Sequence, residues 1–593
     1  MRRRELLRSV AAAGLTAALP AAAAPAHRRV RPGDPAWPSP QAWEGLRTEV
    51  GGRLVKPVSL TAPCEADARG AACAQRLKDL ANPFFVGDQP GGTQISGWLD
   101  AWTPKLSAYA VEARTTADVA AAVNFARRHN LRLVVKGGGH SYQGGSNAPD
   151  SLLVWTRAMN AVTVHDAFTP RGTAGPPVPA VSIGAGAMWV DAYDAVTTRA
   201  GRYVQGGGCA TVGVAGLVLG GGFGSFSKQY GTGAASLLEA EIVTADGVAR
   251  VVSAANHPDL FWALKGGGQS SFGVVTRLTL QTHELAATAG GCGGDLTTKT
   301  DAAFRRALHA FVDTCAEGLT NPHWGESVRI TGSNRIEFNM VFQGLSAKDA
   351  RAAWRPLTDW AAAAGPDVKL DGPHPSTQPM REWWDFAAAA KAHAPWVRPD
   401  PRPGAPPHHA WWAGDSGQVS AFFYAYDSLW LPAALLDPAE RGRLADALFE
   451  ASRHFDLELH FNKGLGGGAP GAVAASARTA THPAVLDAFA LAIIATGGLP
   501  NYPVYPPTNL AAARREAARV EAAMAALRPL APAAASYVSE SNYFNPHWRE
   551  AFWGPHYARL AAVKARYDPA GLFVMHHGVG SEHWSPDGFT RIG

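Results

Sequence analysis

KGGGHSYQGGS at residues 136–146 and GGCATVGVAGLVLGGGFG at residues 207–224 decide how this chain is read. Each opens on a glycine run that ends on one reactive residue: His140 after Gly137, Gly138 and Gly139, and Cys209 after Gly206, Gly207 and Gly208. Without a Cβ, glycine lets backbone N–H groups reach a diphosphate or a flat ring at contact distance and turns the chain where φ is positive. An imidazole nitrogen and a thiolate are both nucleophiles able to bond an electron-poor ring. Taken singly, a loop histidine and a buried thiol need no such role; the same arrangement twice argues for one shared ligand. The second stretch is not the dinucleotide fingerprint, because Gly220-Gly221-Gly222-Phe223-Gly224 lacks a strand-turn-helix context with a suitably spaced acidic residue.

Outward from these runs, residues 131–136 (LRLVVK) read as a short buried strand emptying into the first glycines. A helix precedes it, with Thr116 as its cap and Val119, Val123 and Ala126 on one face. Strands are expected at residues 151–155 and 181–184 and a helix from Trp189. Residues 239–245 and 248–252 form a hairpin about Asp246-Gly247, residues 259–265 a helix, and residues 272–280 a strand closing the domain. From about residue 285 to 530 Ala-rich helices alternate with aromatic-rich strands, broken by a Pro-rich stretch at residues 398–407. Pro569 should end a helix in the final segment.

The chain has 593 residues, 47% of them hydrophobic, enough for a large core and more than one domain. Of its formal charge of +5, Arg2, Arg3, Arg4 and Arg8 set against Glu5 supply three at the extreme N-terminus. No basic run with interleaved aromatics and no long apolar stretch after the start is present, so neither a nucleic-acid partner nor a membrane span is expected. The opening MRRRELLRSVAAAGLTAALPAAAAPA (residues 1–26) reads as an export signal of twin-arginine type, for a periplasmic or extracellular protein.

Five cysteines in an exported chain leave one over. Cys64 and Cys73 are close within a loop-like segment, and Cys292 and Cys315 flank another candidate loop; two disulfides there would leave Cys209 free, although connectivity cannot be read from sequence. His576, His577 and His583 do not read as a metal site, since adjacent rings cannot easily face one ion and no further ligand set completes it. Trp384, Trp411 and Trp412 read as core or pocket wall.

Four segments resemble the berberine-bridge-enzyme-like FAD-linked oxidases of the vanillyl-alcohol-oxidase superfamily. They are the two glycine stretches, HPDLFWALKGGGQSSFGVVT at residues 257–276, and YFNPHWREAFWGPHYARLAAVKARYDP at residues 543–569; between them only HFNKGLGGGAP at residues 460–470 is similar. The resemblance implies an α/β (α+β) protein: a PCMH-type FAD-binding domain of two α/β subdomains (101–283) after an N-terminal extension (27–100). A substrate domain with an antiparallel sheet and covering helices (284–530) follows, then a C-terminal segment returning to the flavin (531–593). It implies FAD bonded through His140 and Cys209, lying against Lys136, Gly137, Gly138, Gly139, Ser141, Gly144, Gly207, Gly208, Val212, Gly213, Gly216, Gly220, Gly221, Gly224 and Val274. Tyr537 sits where the family carries a Tyr-x-Asn sequence with a catalytic tyrosine, but Ser539 replaces that Asn; Glu540, Tyr142 and His460 are reserve candidates.

The expected activity is oxidation of an alcohol, sugar or secondary metabolite by hydride transfer to the flavin, with oxygen reduced to hydrogen peroxide. Rival readings are a dehydrogenase with another acceptor, a flavoenzyme with a single bond in which Cys209 is a spectator, and a non-catalytic exported binding protein.

Overall fold

Strand Arg132–Lys136 lies at one edge of a four-stranded sheet, parallel to Ser151–Trp155, which is parallel to Tyr109–Glu112; Leu54–Val55 pairs antiparallel on the far side. Helix Thr116–Arg128 makes the crossover between two of these strands and buries Val119, Val123 and Ala126 against Val111, Leu133, Leu152 and Val154. Its cap is Thr115, one residue before the expected Thr116. Thr115 is extended, its hydroxyl accepts the Asp118 amide, and the Asp118 carboxylate accepts the Thr115 amide in return, a closed capping box. The Thr116 hydroxyl instead reaches Glu241 on the next sheet.

The structure, a computed structural model, describes residues 27–592; the export signal expected at residues 1–26 lies outside the described residues. A second, five-stranded antiparallel sheet runs in the order Val162–Phe168, Val178–Gly184, Val274–Gln281, Leu237–Val243, Ala249–Ser253. The last strand in sequence therefore lies at the centre rather than closing an edge. Val162–Phe168, unanticipated from sequence, is a half-exposed edge strand whose apolar pattern is correspondingly faint.

The middle of the chain builds a seven-stranded antiparallel sheet, ordered Val368–Pro379, Thr288–Thr298, Arg335–Gln343, Trp324–Thr331, Leu457–His460, Ala488–Gly498, Phe422–Pro432. Helices Asp301–Thr314, Arg441–His454 and Leu510–Leu527 cover one face and share its apolar core. Cys292 lies within the long strand Thr288–Thr298 and Cys315 ends a helix; both are buried and free, so the second disulfide does not form. Each thiol is simply a small apolar group in that core. Cys64 and Cys73 are disulfide-bonded.

Residues 27–100 do not hang outside the flavin half. Arg29 is buried and donates to the carbonyls of Leu131, Gly571 and Leu572, and the backbone of Ser96 and Leu99 bonds residues 421 and 423 of the large sheet. The C-terminal helix Tyr557–Tyr567 ends at Asp568, before Pro569, and the Asp568 carboxylate accepts from Lys564 and from the amides of Leu572 and Phe573. Lys564 also donates to the Ser271 carbonyl, tying this segment back to the flavin half. Among the described residues no helix is long and apolar enough to cross a membrane.

Candidate active site

The two glycine runs meet at their backbones. A Cβ on Gly138 would lie 2.9 Å from the Thr211 carbonyl and 3.0 Å from the Gly213 nitrogen, so only glycine lets the first loop rest on the second. By contrast a Cβ on Gly208 or Gly216 would meet nothing within 4 Å. These two glycines keep open space on the cleft side, as a flat ligand would require. His140 is held by a 3.1 Å hydrogen bond from Nε2 to the Thr211 hydroxyl, leaving Nδ1 as the other ring nitrogen. The Tyr193 hydroxyl donates to the Gly207 carbonyl (2.6 Å) and the Trp412 indole to the Gly208 carbonyl (3.0 Å), clamping the loop that presents Cys209. His140 and Cys209 then face one narrow recess shared with Tyr142, Thr211 and Asp415. Burial lowers the His140 imidazole to about 4, whereas burial and then the neighbouring Asp415 carboxylate push the Cys209 thiol well above its ordinary value.

This recess shares His140, Tyr142, Cys209 and Asp415 with a cleft of about 2320 Å³ between the glycine loops, the large sheet and the C-terminal segment. Across it the sheet presents Glu326, Glu458, His460 and Tyr426, and the walls carry Trp383, Trp384, Trp396 and Trp412. Gly325 brings its strand onto the Ser225 backbone, and Glu326 follows with a left-handed φ of +64°, strain that a bulky side chain keeps only under surrounding constraint. The Ser225 hydroxyl and the Asn462 amide donate to the two carboxylate oxygens of Glu326. Lys463 pairs with Glu540 at 2.5 Å, and His460 with Glu458 at 3.0 Å.

Tyr537 lies below the glycine loop, edge-on to Phe223 with ring centroids 4.9 Å apart. Burial, and then the Glu540 charge, hold its phenol well above the usual range, against a smaller lowering by Ser539 and Gly222. Gln269 donates to Ser539 at 2.7 Å.

Residues 107–253 match the family model described as FAD binding domain, and residues 536–580 the one described as Berberine and berberine like. The VAO-type flavoprotein oxidase VAO615 of Thermothelomyces thermophilus is 28% identical, covering 95% of both chains, and the FAD-linked oxidoreductase malF of Malbranchea aurantiaca is 29% identical over 94% of this chain and 93% of its own. The chain is an FAD-linked oxidoreductase that carries an FAD-binding and a berberine-like domain and is similar along its length to VAO-type flavoprotein oxidases. Its fold superposes on the VAO-type flavoprotein MtVAO615 of Myceliophthora thermophila with a TM-score of 0.76 at 26% identity, over 94% of this chain and 98% of that one. The glucooligosaccharide oxidase of Acremonium strictum, described with a 6-S-cysteinyl, 8α-N1-histidyl FAD, shares the fold at a TM-score of 0.61 and 22% identity, over 83% of this chain and 94% of its own.

In this oxidoreductase the residues expected to hold FAD divide into two groups. Gly137, Gly138, Gly139, His140, Ser141, Gly207, Gly208, Cys209, Val212, Gly213 and Gly216 line the cleft. Lys136 borders it too, but its ammonium turns away to the carbonyls of residues 89, 90 and 92 and is buried there, so its side chain props the N-terminal segment rather than a cofactor. Val274 packs into the core behind its sheet while Gly273 and Val275 face the cleft, a one-residue error that in a strand inverts the face. Gly144, Gly220, Gly221 and Gly224 do not border the cleft. Added Cβ atoms there would strike Trp102, Ser539, Thr481 and the Gly206 carbonyl, so these glycines permit packing within the protein.

Tyr537, Glu540, Tyr142 and His460 all reach the cleft. Sequence reading missed Glu326 and Asp415, which no motif marks, and Lys463, which sits inside the familiar HFNKGLGGGAP stretch. His576 stacks on Tyr543 with centroids 3.7 Å apart and bonds its carbonyl, and His577 stacks on Trp548.

Proposed function

We propose that the protein is an oxidase holding FAD through two covalent bonds, from His140 and Cys209, that oxidises a small organic substrate bearing a hydroxyl or amine and passes the electrons to molecular oxygen, yielding hydrogen peroxide. The observation that carries this reading is the convergence of two nucleophiles from separate glycine runs on one recess bordering a large cleft. Bound flavin would supply the hydride acceptor. The chain supplies position and proton handling. Thr211 holds the His140 ring through Nε2, and the open sides of Gly208 and Gly216 admit a flat ring. Aromatic walls and the strained Glu326 frame the substrate. Tyr537, in its phenolate form, would take the proton leaving the substrate, with the Glu540–Lys463 pair beside it. Carbohydrate oxidases among the structural neighbours, including a chitooligosaccharide oxidase, are consistent with a hydroxyl substrate in a cleft of this size. The Cys64–Cys73 disulfide agrees with export to an oxidising compartment through the twin-arginine-like leader.

An absorption spectrum of the purified protein before and after acid precipitation tests the attachment. Yellow colour that stays with the denatured chain, survives His140→Ala or Cys209→Ser alone and disappears in the double variant is the expected result; colour that washes out of the wild type overturns it. Oxygen consumption with matching peroxide release during a screen of alcohols, sugars and amines tests the acceptor, and turnover only with an artificial dye would replace oxidase by dehydrogenase.

A further inference from the structure

The two nucleophiles arrive at the recess in different protonation states. His140 is a neutral imidazole at any pH well above 4, its Nε2 engaged by Thr211. Cys209 is a thiol that burial keeps protonated, and a thiol must lose its proton to attack carbon. The group against it is Asp415. This residue sits in the turn Ala413–Gln418, directly after strand Ala410–Trp412, whose Trp412 indole is bonded to the Gly208 carbonyl. The Trp411 indole holds the same turn through the Ser416 hydroxyl at 3.0 Å. The turn is thereby pinned beside Cys209 from both sides. The Asp415 carboxyl lines the same recess as the Cys209 thiol, and its buried Oδ2 has no partner.

We propose that Asp415 is the base that takes the Cys209 proton as the thiol bonds the flavin ring, so that the second attachment depends on it. The inference rests on the two-point attachment proposed above. Other candidates are engaged: Lys463 is paired with Glu540, the His140 Nε2 is tied to Thr211, and the Tyr142 phenol is itself held protonated by burial. Burial, with Glu326 nearby, lifts Asp415 to about 6, nearer in proton affinity to a thiol than an exposed carboxylate would be. One S–H and one ring C–H bond break and one S–C bond forms, which releases two protons and two electrons. Asp415 receives the thiol proton and returns it to solvent, the ring proton leaves likewise, and molecular oxygen takes up the two electrons and two protons, giving one hydrogen peroxide per bond formed.

The test is proteolysis and mass spectrometry of the full-length purified protein, scoring separately the flavin bond at His140 and at Cys209, with alkylation of free Cys209 after denaturation. Asp415→Asn should keep the His140 bond while formation of the Cys209 bond slows by about a hundredfold or more. Asp415→Glu should restore much of it. As a second probe, Asp415→Ser should regain the bond on addition of formate, a small carboxylate able to enter the vacated space. A Cys209 bond formed at the wild-type rate in Asp415→Asn overturns this proposal alone. So does failure of both the Glu substitution and formate to restore the bond. A wild-type protein whose Cys209 is entirely alkylatable overturns the two-point attachment and this proposal together.

Discussion

The loops ending at His140 and Cys209 look alike in sequence and differ in what the fold does to them. The first is a rigid outlet of a strand, resting on the second, with its imidazole already neutral and held by a neighbour's hydroxyl. The second is clamped by Tyr193 and Trp412, groups from elements on either side of it, and leaves its nucleophile protonated against a carboxylate. One burial effect acts on both residues with opposite results, because burial favours the uncharged form: for histidine that is the nucleophile, and for cysteine it is not. The two proposed attachments should therefore respond differently to perturbation.

The largest effect that would break this comparison is expected from Gly138→Ala set beside Gly208→Ala. The first forces apart the backbones of the two loops, costing about 1–3 kcal/mol of stability and abolishing flavin loading, as read by thermal unfolding and by absorbance. The second meets no protein atom, so the melting temperature should hold while flavin content falls. Equal melting temperatures for the two variants would show that the loops do not rest on one another. Next in size is the pH response. With its pKa lowered to about 4, His140 stays neutral from pH 6 to 8, so its bond should form at a constant rate there and slow only as the pH falls toward 4. The same burial makes the unfolded chain bind more protons than the folded one between pH 4 and its ordinary value, so His140 contributes stability above that window and loses it as the pH falls through it.

Tyr537 sharpens the contrast between the flavin side and the substrate side. Its raised pKa means the phenolate develops only at high pH, so kcat/KM should climb with pH through the alkaline range in the wild type and flatten in Tyr537→Phe. A wild-type profile that is already flat there would move the proton to Glu540. The smallest effect is Thr211→Val, which removes the hydroxyl from His140 Nε2; it should cost about 1 kcal/mol of stability and slow the His140 bond without touching Cys209, both readable from melting curves and peptide mapping.

What was legible in the sequence was local. A strand followed by Gly137, Gly138, Gly139 and His140 announces itself within ten residues, as does the second run with Cys209, because the backbone freedom of glycine and the reactivity of the residue after it are intrinsic. The same locality misled at Gly220, Gly221 and Gly224, which belong to the motif but serve packing against Ser539, Thr481 and the Gly206 carbonyl. Val274 was misplaced because two valines in a strand look equal until a neighbouring sheet decides which faces the core.

By itself, then, the sequence marked His140 and Cys209, their glycine runs, and the helix and strand that lead to the first. Only the tertiary structure decided that the loops touch, that Lys136 turns its charge away, that Cys292 and Cys315 stay apart, and that Glu326, Lys463 and Asp415 gather round the cleft. The physical reason is that a carboxylate in an ordinary strand or turn carries no signal of its own; its chemistry comes from desolvation and from the partners that distant segments bring to it.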